Sequence, residues 1–256
     1  MIGHDQLDDY ARDGYVIARG LFSPRETGIL LHHAQRSERI RSGTMAMPDG
    51  EGRSSRLALW MHHADDAFGA VTRAPRIVDS ARLLLRDDVY HWHSKVMLKE
   101  PRSGGAWEWH QDYGYWYHDG CPYPRLVSCL VALDRADRGN GCLKVIAGSH
   151  RLGRLDHGQV GKQTGADAAR VEAIARTLPV RYAELDPGDA IFFDCNLIHG
   201  SEPNTSDRPR TSFICCYNAW SNQPLLGRGH GQREAIDLDR EGIERFAPEA
   251  EPAPLA

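Results

Sequence analysis

The stretch VYHWHSKVMLKE, residues 89–100, marks the point where the sequence changes to an alternation with a period of two. Further short runs rich in β-branched and aromatic residues follow, separated by turns of Gly, Pro, Asp and Asn: LVSCLVALD (126–134), GCLKVIAGSH (141–150), VRYAELDPGDAIFFD (180–194) and RTSFICCYNAW (210–220). Several such strands at close spacing predict an antiparallel sandwich or barrel. We therefore expect a mainly β fold with flanking helices.

The part of the chain before this change is richer in helical pattern. The predicted segments are, in order, helix 4–12, strand 14–22, a helix from Pro24, loop 47–55 and helix 74–88. The helix at Pro24 is the best defined, because Ser23 and Glu26 have the spacing of a capping box and Pro occupies the first helical position. The sequence thus predicts a helix-rich part over 1–88 and a β core over 89–220.

Composition narrows the class of partner. The 256 residues carry a formal net charge of −4, which gives no electrostatic basis for binding nucleic acid or an acidic membrane surface. The start of the chain is charged where a signal peptide is apolar, and no run approaches the roughly 20 apolar residues of a membrane span. Six cysteines without CxxC spacing fit a reducing compartment. We expect a cytoplasmic protein with a small-molecule partner, present as a monomer or a weak homo-oligomer.

A candidate metal site begins in WEWHQDYGYW, residues 107–116. His110 and Asp112 are two residues apart, so on a strand or its extended exit their side chains point to the same face. His199, which follows the apolar strand AIFFD, is the best candidate for a third ligand. Two imidazoles and one carboxylate on one side of an octahedron leave three positions open, which suits Fe(II) that must also bind a chelating cosubstrate and oxygen. Zinc would favour thiolates or a closed tetrahedron.

A candidate cosubstrate residue is Arg210. An oxygenase that uses 2-oxoglutarate needs a fixed cation for the far carboxylate of that molecule, and a guanidinium matches a carboxylate with two parallel hydrogen bonds. Arg210 lies eleven residues after His199 at the start of the next apolar strand, and a turn in that interval would bring it beside the metal. Arg208 is the alternative, but its position between Asp and Pro in the turn favours a solvated side chain.

Three motifs occur in order along the chain: His110-Gln-Asp112, GNGCLKVIAGSHRLGRLDHG (139–158) and HGSEPNTSDRPRTSF (199–213). Together with YARDGYVIARGLFS (10–23), they resemble the phytanoyl-CoA dioxygenase family of Fe(II)/2-oxoglutarate oxygenases, which includes ectoine hydroxylases and natural-product tailoring enzymes. The resemblance covers about residues 85–220. It implies a double-stranded β-helix, the cupin-like jelly roll, in a single dioxygenase domain over 1–256.

The resemblance also implies roles for individual residues. These are iron binding at His110, Asp112 and His199, the distal carboxylate of 2-oxoglutarate at Arg210, a further hydrogen bond to the cosubstrate at Ser201, and cosubstrate or substrate contacts at His93 and Lys95. Trp116, six residues after His110, resembles a tryptophan that ectoine hydroxylases place in the active site.

The aromatic rings around the His-x-Asp motif divide by position. Alternation places Trp107 and Trp109 on the face opposite His110, which predicts that these two rings pack in the core. The rings that follow the ligands in a loop are candidate walls of the substrate pocket: Tyr113, Tyr115 and Trp116. The polar insertion at 156–179 is a candidate lid over that pocket, and the Ala- and Pro-rich end at 247–256 is predicted to be flexible.

The predicted function is oxidation of an unactivated C–H bond with Fe(II), 2-oxoglutarate and O2, by hydroxylation or oxidative ring closure. The predicted substrate is a small polar natural product of secondary metabolism, with or without a sugar; an amino acid or an acyl-CoA is the alternative. The alternative function is a non-catalytic jelly-roll protein that binds a metal and a small molecule. A halogenase is disfavoured, because halogenases of this superfamily have a small residue where Asp112 stands here.

Overall fold

The structure is a computed structural model that describes residues 1–160, 163–226 and 233–248. Its strands are β1 Tyr15–Ala18, β2 Thr44–Pro48, β3 Ser54–Trp60, β4 Val89–Lys99, β5 Trp107–His110, β6 Leu126–Ala132, β7 Leu143–Ile146, β8 His157–Val160, β9 Gln163–Ala166, β10 Val180–Ala183, β11 Ala190–Asp194, β12 His199–Ser201 and β13 Arg210–Ala219. The α-helices are α1 Leu7–Asp13, α2 Pro24–Arg36, α3 Glu38–Ser42, α4 Ala67–Thr72, α5 Pro75–Leu85, α6 Tyr113–Trp116 and α7 Ala168–Ala175. Short 3-10 turns lie at His4–Gln6, Arg138–Asn140, Ser149–Leu152 and Ile243–Phe246.

Two antiparallel sheets make up the body of the fold. The larger has seven strands in the order β1-β11-β6-β13-β4-β3-β2, and the smaller has four in the order β10-β7-β12-β5. Buried apolar side chains from both sheets, among them Trp92, Val145 and Ile214, form one cluster between them. This arrangement of two facing sheets confirms the predicted mainly β jelly roll.

Strand β13 shows how the sequence builds both faces of the large sheet. Every residue of this strand is buried. Phe213, Cys215 and Tyr217 belong to the cluster under the helices, whereas Ile214 and Cys216 belong to the cluster between the sheets. A strand covered on both faces loses the polar half of the alternation and becomes a continuous apolar run.

The predicted helix starts agree with the structure. The backbone N–H of Glu26 donates to Ser23 Oγ at 3.2 Å, and the Ser23 N–H donates to the Glu26 carboxylate at 2.8 Å, so the predicted capping box is confirmed. Predicted helix 4–12 corresponds to His4–Gln6 and α1, and predicted helix 74–88 contains α5.

Two predictions for the N-terminal part were wrong in extent. The predicted strand 14–22 ends at Ala18, because Gly20 turns the chain with a φ of +57°. The predicted loop 47–55 is a tight hairpin between β2 and β3, which extend the large sheet beyond β4. TMAMP in β2 has little of the β-branched alternation typical of a strand, so its propensity signal is weak. As a result, three strands that precede residue 89 join the large sheet.

The insertion at 156–179 has secondary structure of its own. Strands β8 and β9 pair as an antiparallel hairpin, and helix α7 follows. Residues 161–162 of this predicted lid and 249–256 of the predicted tail lie outside the described residues. Among the helices of the described ranges, none combines the length and the apolar character that a membrane span requires.

Candidate active site

A cavity of about 310 Å³ lies between the two sheets. Its polar side chains include several of the predicted site residues: His93, Lys95, His110, His199, Ser201 and Arg210. Apolar and aromatic side chains complete its wall: Met47, Leu57, Leu59, Met97, Trp107, Tyr115, Trp116, Leu130, Leu143, Phe193 and Ile214. An apolar cleft of this size with a few converging polar groups is typical of a small-molecule site.

The three predicted metal ligands meet at this cavity. His110 ends β5, His199 begins β12, and the two residues are direct cross-strand partners in the small sheet. Asp112 follows two residues after β5, at the start of α6. Its Oδ1 lies 4.0 Å from His110 Nε2 and 3.9 Å from His199 Nε2. The ligand atoms of all three residues lie within 4.8 Å of one another, so one ion can contact all of them.

Hydrogen bonds orient each of these side chains toward a shared point. His110 Nδ1 donates to the Glu108 carbonyl at 2.7 Å, and His199 Nδ1 donates to the Leu197 carbonyl at 2.9 Å. These bonds place the hydrogen on Nδ1 and leave each Nε2 lone pair toward Asp112. Asp112 Oδ2 accepts a hydrogen bond from Ser128 Oγ at 2.7 Å, which leaves Oδ1 facing the two rings.

The protonation states also fit a metal site. Burial and the neighbouring His199 lower the pKa of His110 well below its ordinary value, and burial lowers the pKa of His199. Burial by itself would raise the pKa of Asp112, but the positive charge of Lys95 and further interactions outweigh it, and the net shift is downward. Two neutral imidazoles and one carboxylate form the 2-His-1-carboxylate set that Fe(II) oxygenases use. The residues present therefore fit iron.

The residue between the ligands anchors the motif to the rest of the fold. Gln111 is fully buried. Its amide nitrogen donates to the carbonyls of Gly153 and Asn196, and its amide oxygen accepts from the Leu155 N–H. Its backbone N–H donates to His157 Nε2 at 2.9 Å. The turn that carries Asp112 is thus tied to the segments before β8 and before β12.

Arg210 has the surroundings expected of a carboxylate-binding residue. It is 4% exposed, Nη1 donates to Ser212 Oγ at 3.1 Å, and Nε is buried without a hydrogen-bond partner. Burial lowers the pKa of Arg210 to about 10. Within the described ranges, no carboxylate lies within ion-pairing distance of its guanidinium. A buried cation that lines a cavity without a counter-charge fits an anionic ligand such as the far carboxylate of 2-oxoglutarate.

The aromatic rings are distributed differently from the sequence prediction. Tyr115 and Trp116 line the cavity. Tyr113 does not: its ring is buried in the cluster between the sheets, and its hydroxyl donates to the Cys121 carbonyl at 3.1 Å. The sequence placed it in a loop, whereas α6 is a helical turn that directs successive side chains to different sides.

Trp107 packs against a core cluster as predicted, but its predicted placement on the face opposite His110 is wrong. Both rings are half-buried: Trp109 packs against the cluster beside α7, whereas Trp107 packs against the cluster between the sheets and lines the cavity together with His110. The pairing of β5 with β12 is irregular, since His110 pairs with His199 and Trp107 pairs with Ser201. This irregularity adds one residue to β5, so simple alternation fails between Trp107 and His110.

Sequence reasoning missed several residues of this site. The apolar pattern of LVSCLVALD predicts only a buried strand, but its single Ser128 is a sign of a polar contact in the interior. Gln163 and Thr164, from β9, line the cavity and had no recognisable sequence signal. Gln163 accepts from the Glu108 N–H and donates to the carbonyls of Pro48 and Ala106, so it joins β9 to β5 and to the end of β2.

Comparison with known proteins agrees with the family that the sequence motifs resemble. The sequence matches the family described as phytanoyl-CoA dioxygenase (PhyH) over residues 10–212. Ectoine dioxygenase of Bordetella parapertussis is 30% identical over 233 residues, 85% of this chain and 76% of that protein. L-proline trans-4-hydroxylase of Streptomyces griseoviridis is 29% identical over 255 residues, 90% of this chain and 95% of that protein.

A solved structure shares the fold over most of its length. The crystal structure of EctD from S. alaskensis with 2-oxoglutarate and 5-hydroxyectoine has a TM-score of 0.79 and 27% identity, covering 94% of this chain and 89% of that chain. The same protein with bound Fe also gives 0.79. The sheet arrangement, the ligand geometry and the sequence match agree: the chain belongs to the phytanoyl-CoA dioxygenase family.

Proposed function

We propose that this chain, an Fe(II)- and 2-oxoglutarate-dependent dioxygenase by its family, oxidises an unactivated C–H bond of a small polar substrate held in the cavity between the sheets. The observation that carries the proposal is the convergence of His110, Asp112 and His199 on one point of the same cavity that Arg210 lines. A buried guanidinium that no carboxylate of the described residues pairs with, in the same cavity as three converging metal ligands, supports binding of a carboxylate cosubstrate next to the metal.

Each group of residues has a separate task in this reaction. When bound, Fe(II) supplies the oxygen activation that is coupled to conversion of 2-oxoglutarate to succinate and carbon dioxide. His110, Asp112 and His199 would hold the metal, and Arg210 and Ser201 would hold the distal carboxylate of the cosubstrate. The aromatic wall around Tyr115 and Trp116 would exclude water from the reacting carbon.

The substrate we favour is a small amino-acid-derived molecule with charged or strongly polar groups. Lys95 and Asp119 both face the cavity, so the wall has polar groups of either charge next to an apolar body. The names of the two relatives above refer to ectoine and proline, which are small polar molecules. A natural product that contains such a unit also fits, and the presence of a sugar stays a prediction. Burial of a zwitterion requires both charges to find partners.

A coupled assay tests this function. The purified protein, loaded anaerobically with Fe(II), is supplied with 2-oxoglutarate and O2 and screened against free and cyclic amino acids, their amides and neutral sugars, with succinate and product mass as readouts. We expect substrate-dependent succinate and a product heavier by one oxygen or lighter by two hydrogens. His110→Ala should abolish both. Normal substrate-coupled succinate from His110→Ala would contradict the assignment of the metal site, and cosubstrate binding without turnover on any compound would favour the binding protein.

A further inference from the structure

A second buried cation, Lys99, lies behind the cavity wall at the Arg210 end. It is the last residue of β4, is 1% exposed, and does not line the cavity. Its Nζ lies 2.8 Å from Ser201 Oγ and also donates to the Glu202 carbonyl. Lys99 is therefore one hydrogen bond removed from any ligand in the cavity, and Ser201 lies between them.

The neighbourhood of Lys99 is positively charged. Lys99 and Arg210 are direct cross-strand partners, so two cations sit side by side in the interior. The carboxylate of Glu202 is 2.5 Å from Lys144, and its side chain is 46% exposed. Within the described ranges, no carboxylate lies within ion-pairing distance of either buried cation. Two adjacent buried charges without a counter-ion are costly, and an anion bound in the cavity would offset that cost.

The packing around Lys99 is fitted to this side chain. A Cβ on Gly141, where φ is +73°, would lie 2.9 Å from Lys99 Nζ and 2.3 Å from the Glu202 carbonyl oxygen. A Cβ on Gly104 would lie 2.8 Å from Lys99 Cβ. Both glycines thus leave space for Lys99 that a larger residue would fill. The close packing around it holds the Lys99 amine in one position.

The direction of the hydrogen bond determines what Ser201 can do. An ammonium group has three donors and no acceptor, so the oxygen of Ser201 accepts the bond from Lys99. The hydroxyl hydrogen of Ser201 is then available for a different partner, and Ser201 lines the cavity. A serine whose oxygen is already engaged by a cation is a strong donor, which matches a carboxylate oxygen.

We propose that Lys99 is a positioning residue for the cosubstrate: it fixes the Ser201 hydroxyl as a donor toward the carboxylate held by Arg210 and supplies a second positive charge behind it. This inference rests on the proposed function, in which that carboxylate belongs to 2-oxoglutarate. Lys99 itself does not touch the ligand.

The charge state of Lys99 is consistent with this coupling. Burial and the neighbouring Arg210 lower the pKa of Lys99 well below its ordinary value. A carboxylate that binds at Arg210 brings negative charge close to Lys99, which favours its protonated form. Binding of the dicarboxylate and protonation of Lys99 therefore support each other.

The test compares Lys99→Met with Lys144→Met, a matched control that removes a lysine at the same end without contact to Ser201. Anaerobic titration of the Fe(II)-loaded protein with 2-oxoglutarate, followed by the metal-to-cosubstrate absorption band, gives cosubstrate affinity without turnover. We expect Lys99→Met to weaken that affinity about tenfold, with Fe(II) affinity and the circular dichroism spectrum unchanged. Lys144→Met should stay near wild type, and Lys99→Arg should recover part of the loss.

A double-mutant cycle with Ser201→Ala shows whether Lys99 acts through Ser201. If it does, the double variant binds 2-oxoglutarate about as weakly as the weaker single variant, and in turnover the loss appears in the KM for 2-oxoglutarate. Wild-type cosubstrate affinity in Lys99→Met, or fully additive losses, would overturn the inference. If Lys99→Met does not fold, the same titration is made with Lys99→Arg and Lys99→Gln, and wild-type cosubstrate affinity in Lys99→Gln would overturn the inference. A wild-type protein that gives no band with 2-oxoglutarate would instead contradict the proposed function.

Discussion

At the residue scale, the hydrogen bond from Ser128 fixes the orientation of the Asp112 carboxylate in the candidate metal site. Asp112 Oδ2 accepts from Ser128, and Ser128 Oγ is in turn 3.2 Å from Cys216 Sγ, all of them buried. A carboxylate that loses its orienting donor can rotate, and Oδ1 then no longer faces the two histidines. Partners of this kind typically contribute about 10- to 100-fold in metal affinity.

We therefore expect Ser128→Ala to weaken Fe(II) binding by about one order of magnitude or more, measured by anaerobic competition with a chelator. Ser80→Ala is the matched control, because Ser80 is equally buried and accepts a hydrogen bond from the Ile2 N–H far from the site. Loss of stability without loss of metal affinity in Ser128→Ala would show that the bond supports only the fold.

Two other buried histidines lower the stability of the folded protein at acidic pH. The rings of His63 and His91 lie 4.6 Å apart, and burial lowers the pKa of His63 to about 4 and that of His91 to about 3. Both are neutral in the folded chain and bind protons on unfolding below the ordinary histidine pKa of about 6.5. Stability contributed by each is present above pH 6.5 and falls by up to about 1.4 kcal/mol per pH unit as the pH decreases toward 4.

Urea unfolding of the metal-free protein at pH 7, 6 and 5 measures this effect. We expect the free energy of unfolding to fall more steeply toward pH 5 in the wild type than in His91→Gln. His4→Gln, an exposed position, should keep the wild-type slope. Equal slopes in wild type and His91→Gln would mean that the pKa of His91 is not lowered in the folded state.

At the element scale, the hairpin of β8 and β9 is held against the motif that carries the metal ligands. Gln163 ties β9 to β5, to the residue before β5 and to the end of β2. The His157 ring lies against Gly114, where a Cβ would come within 2.4 Å of it. The position of this hairpin thus depends on a few specific contacts beside the cavity. We retain it as the candidate lid.

Gln163→Ala should loosen this lid. We expect faster hydrogen exchange in β5 and β9 and a larger fraction of 2-oxoglutarate consumed without substrate oxidation, because water reaches the site. Gln159→Ala, an exposed position in the same hairpin, is the control and should keep tight coupling. If hydrogen exchange and the coupling of 2-oxoglutarate consumption to substrate oxidation are unchanged in Gln163→Ala, the hairpin is not a lid.

The same elements show what a sequence can and cannot reveal. The sequence predicts His110, Asp112, His199 and Arg210 as site residues because ligand chemistry demands particular residue types at particular spacings. The structure brings the first three together, with Arg210 in the wall of the same cavity. Trp107 and Tyr113 were misplaced, because a strand irregularity and a helical turn shift the side-chain direction by one position. The contacts of Gln163 and Lys99 depend on which segments meet in three dimensions. The sequence around these two residues has no local pattern that predicts such contacts.

At the scale of the whole molecule, ligands should contribute a large part of the stability. Among the described residues, no carboxylate pairs with the buried Arg210. A ligand at one hundred times its Kd adds about 2.7 kcal/mol to the stability. We expect 2-oxoglutarate with a divalent metal to raise the Tm of the wild type, and removal of the metal by a chelator to reverse most of that gain.

Arg210→Met separates the stabilisation by 2-oxoglutarate from the stabilisation by the metal. Without ligands, this variant should be at least as stable as the wild type, because replacing an unpaired buried charge by an apolar side chain removes its desolvation cost. With metal and 2-oxoglutarate, it should gain no more than with the metal alone. Arg208→Met, which removes a surface guanidinium bonded to Asp137, should respond to 2-oxoglutarate as the wild type does. A cosubstrate response in Arg210→Met would contradict the assigned anchor.

The two halves of the site lie on different sheets, which are joined by the hydrogen bond from Lys99 on β4 to Ser201 on β12. His110 and His199 are on the four-stranded sheet and Arg210 is on the seven-stranded sheet. The ring of Phe193, from the large sheet, lies 4.8 Å from the ring of His199 and acts as a spacer between the layers. Interior apolar side chains such as Phe193 therefore help to set the width of the gap that a bound molecule must fill. Substitutions that change the volumes of these side chains can alter which molecules fit while the polar groups at the metal ligands and Arg210 stay in place.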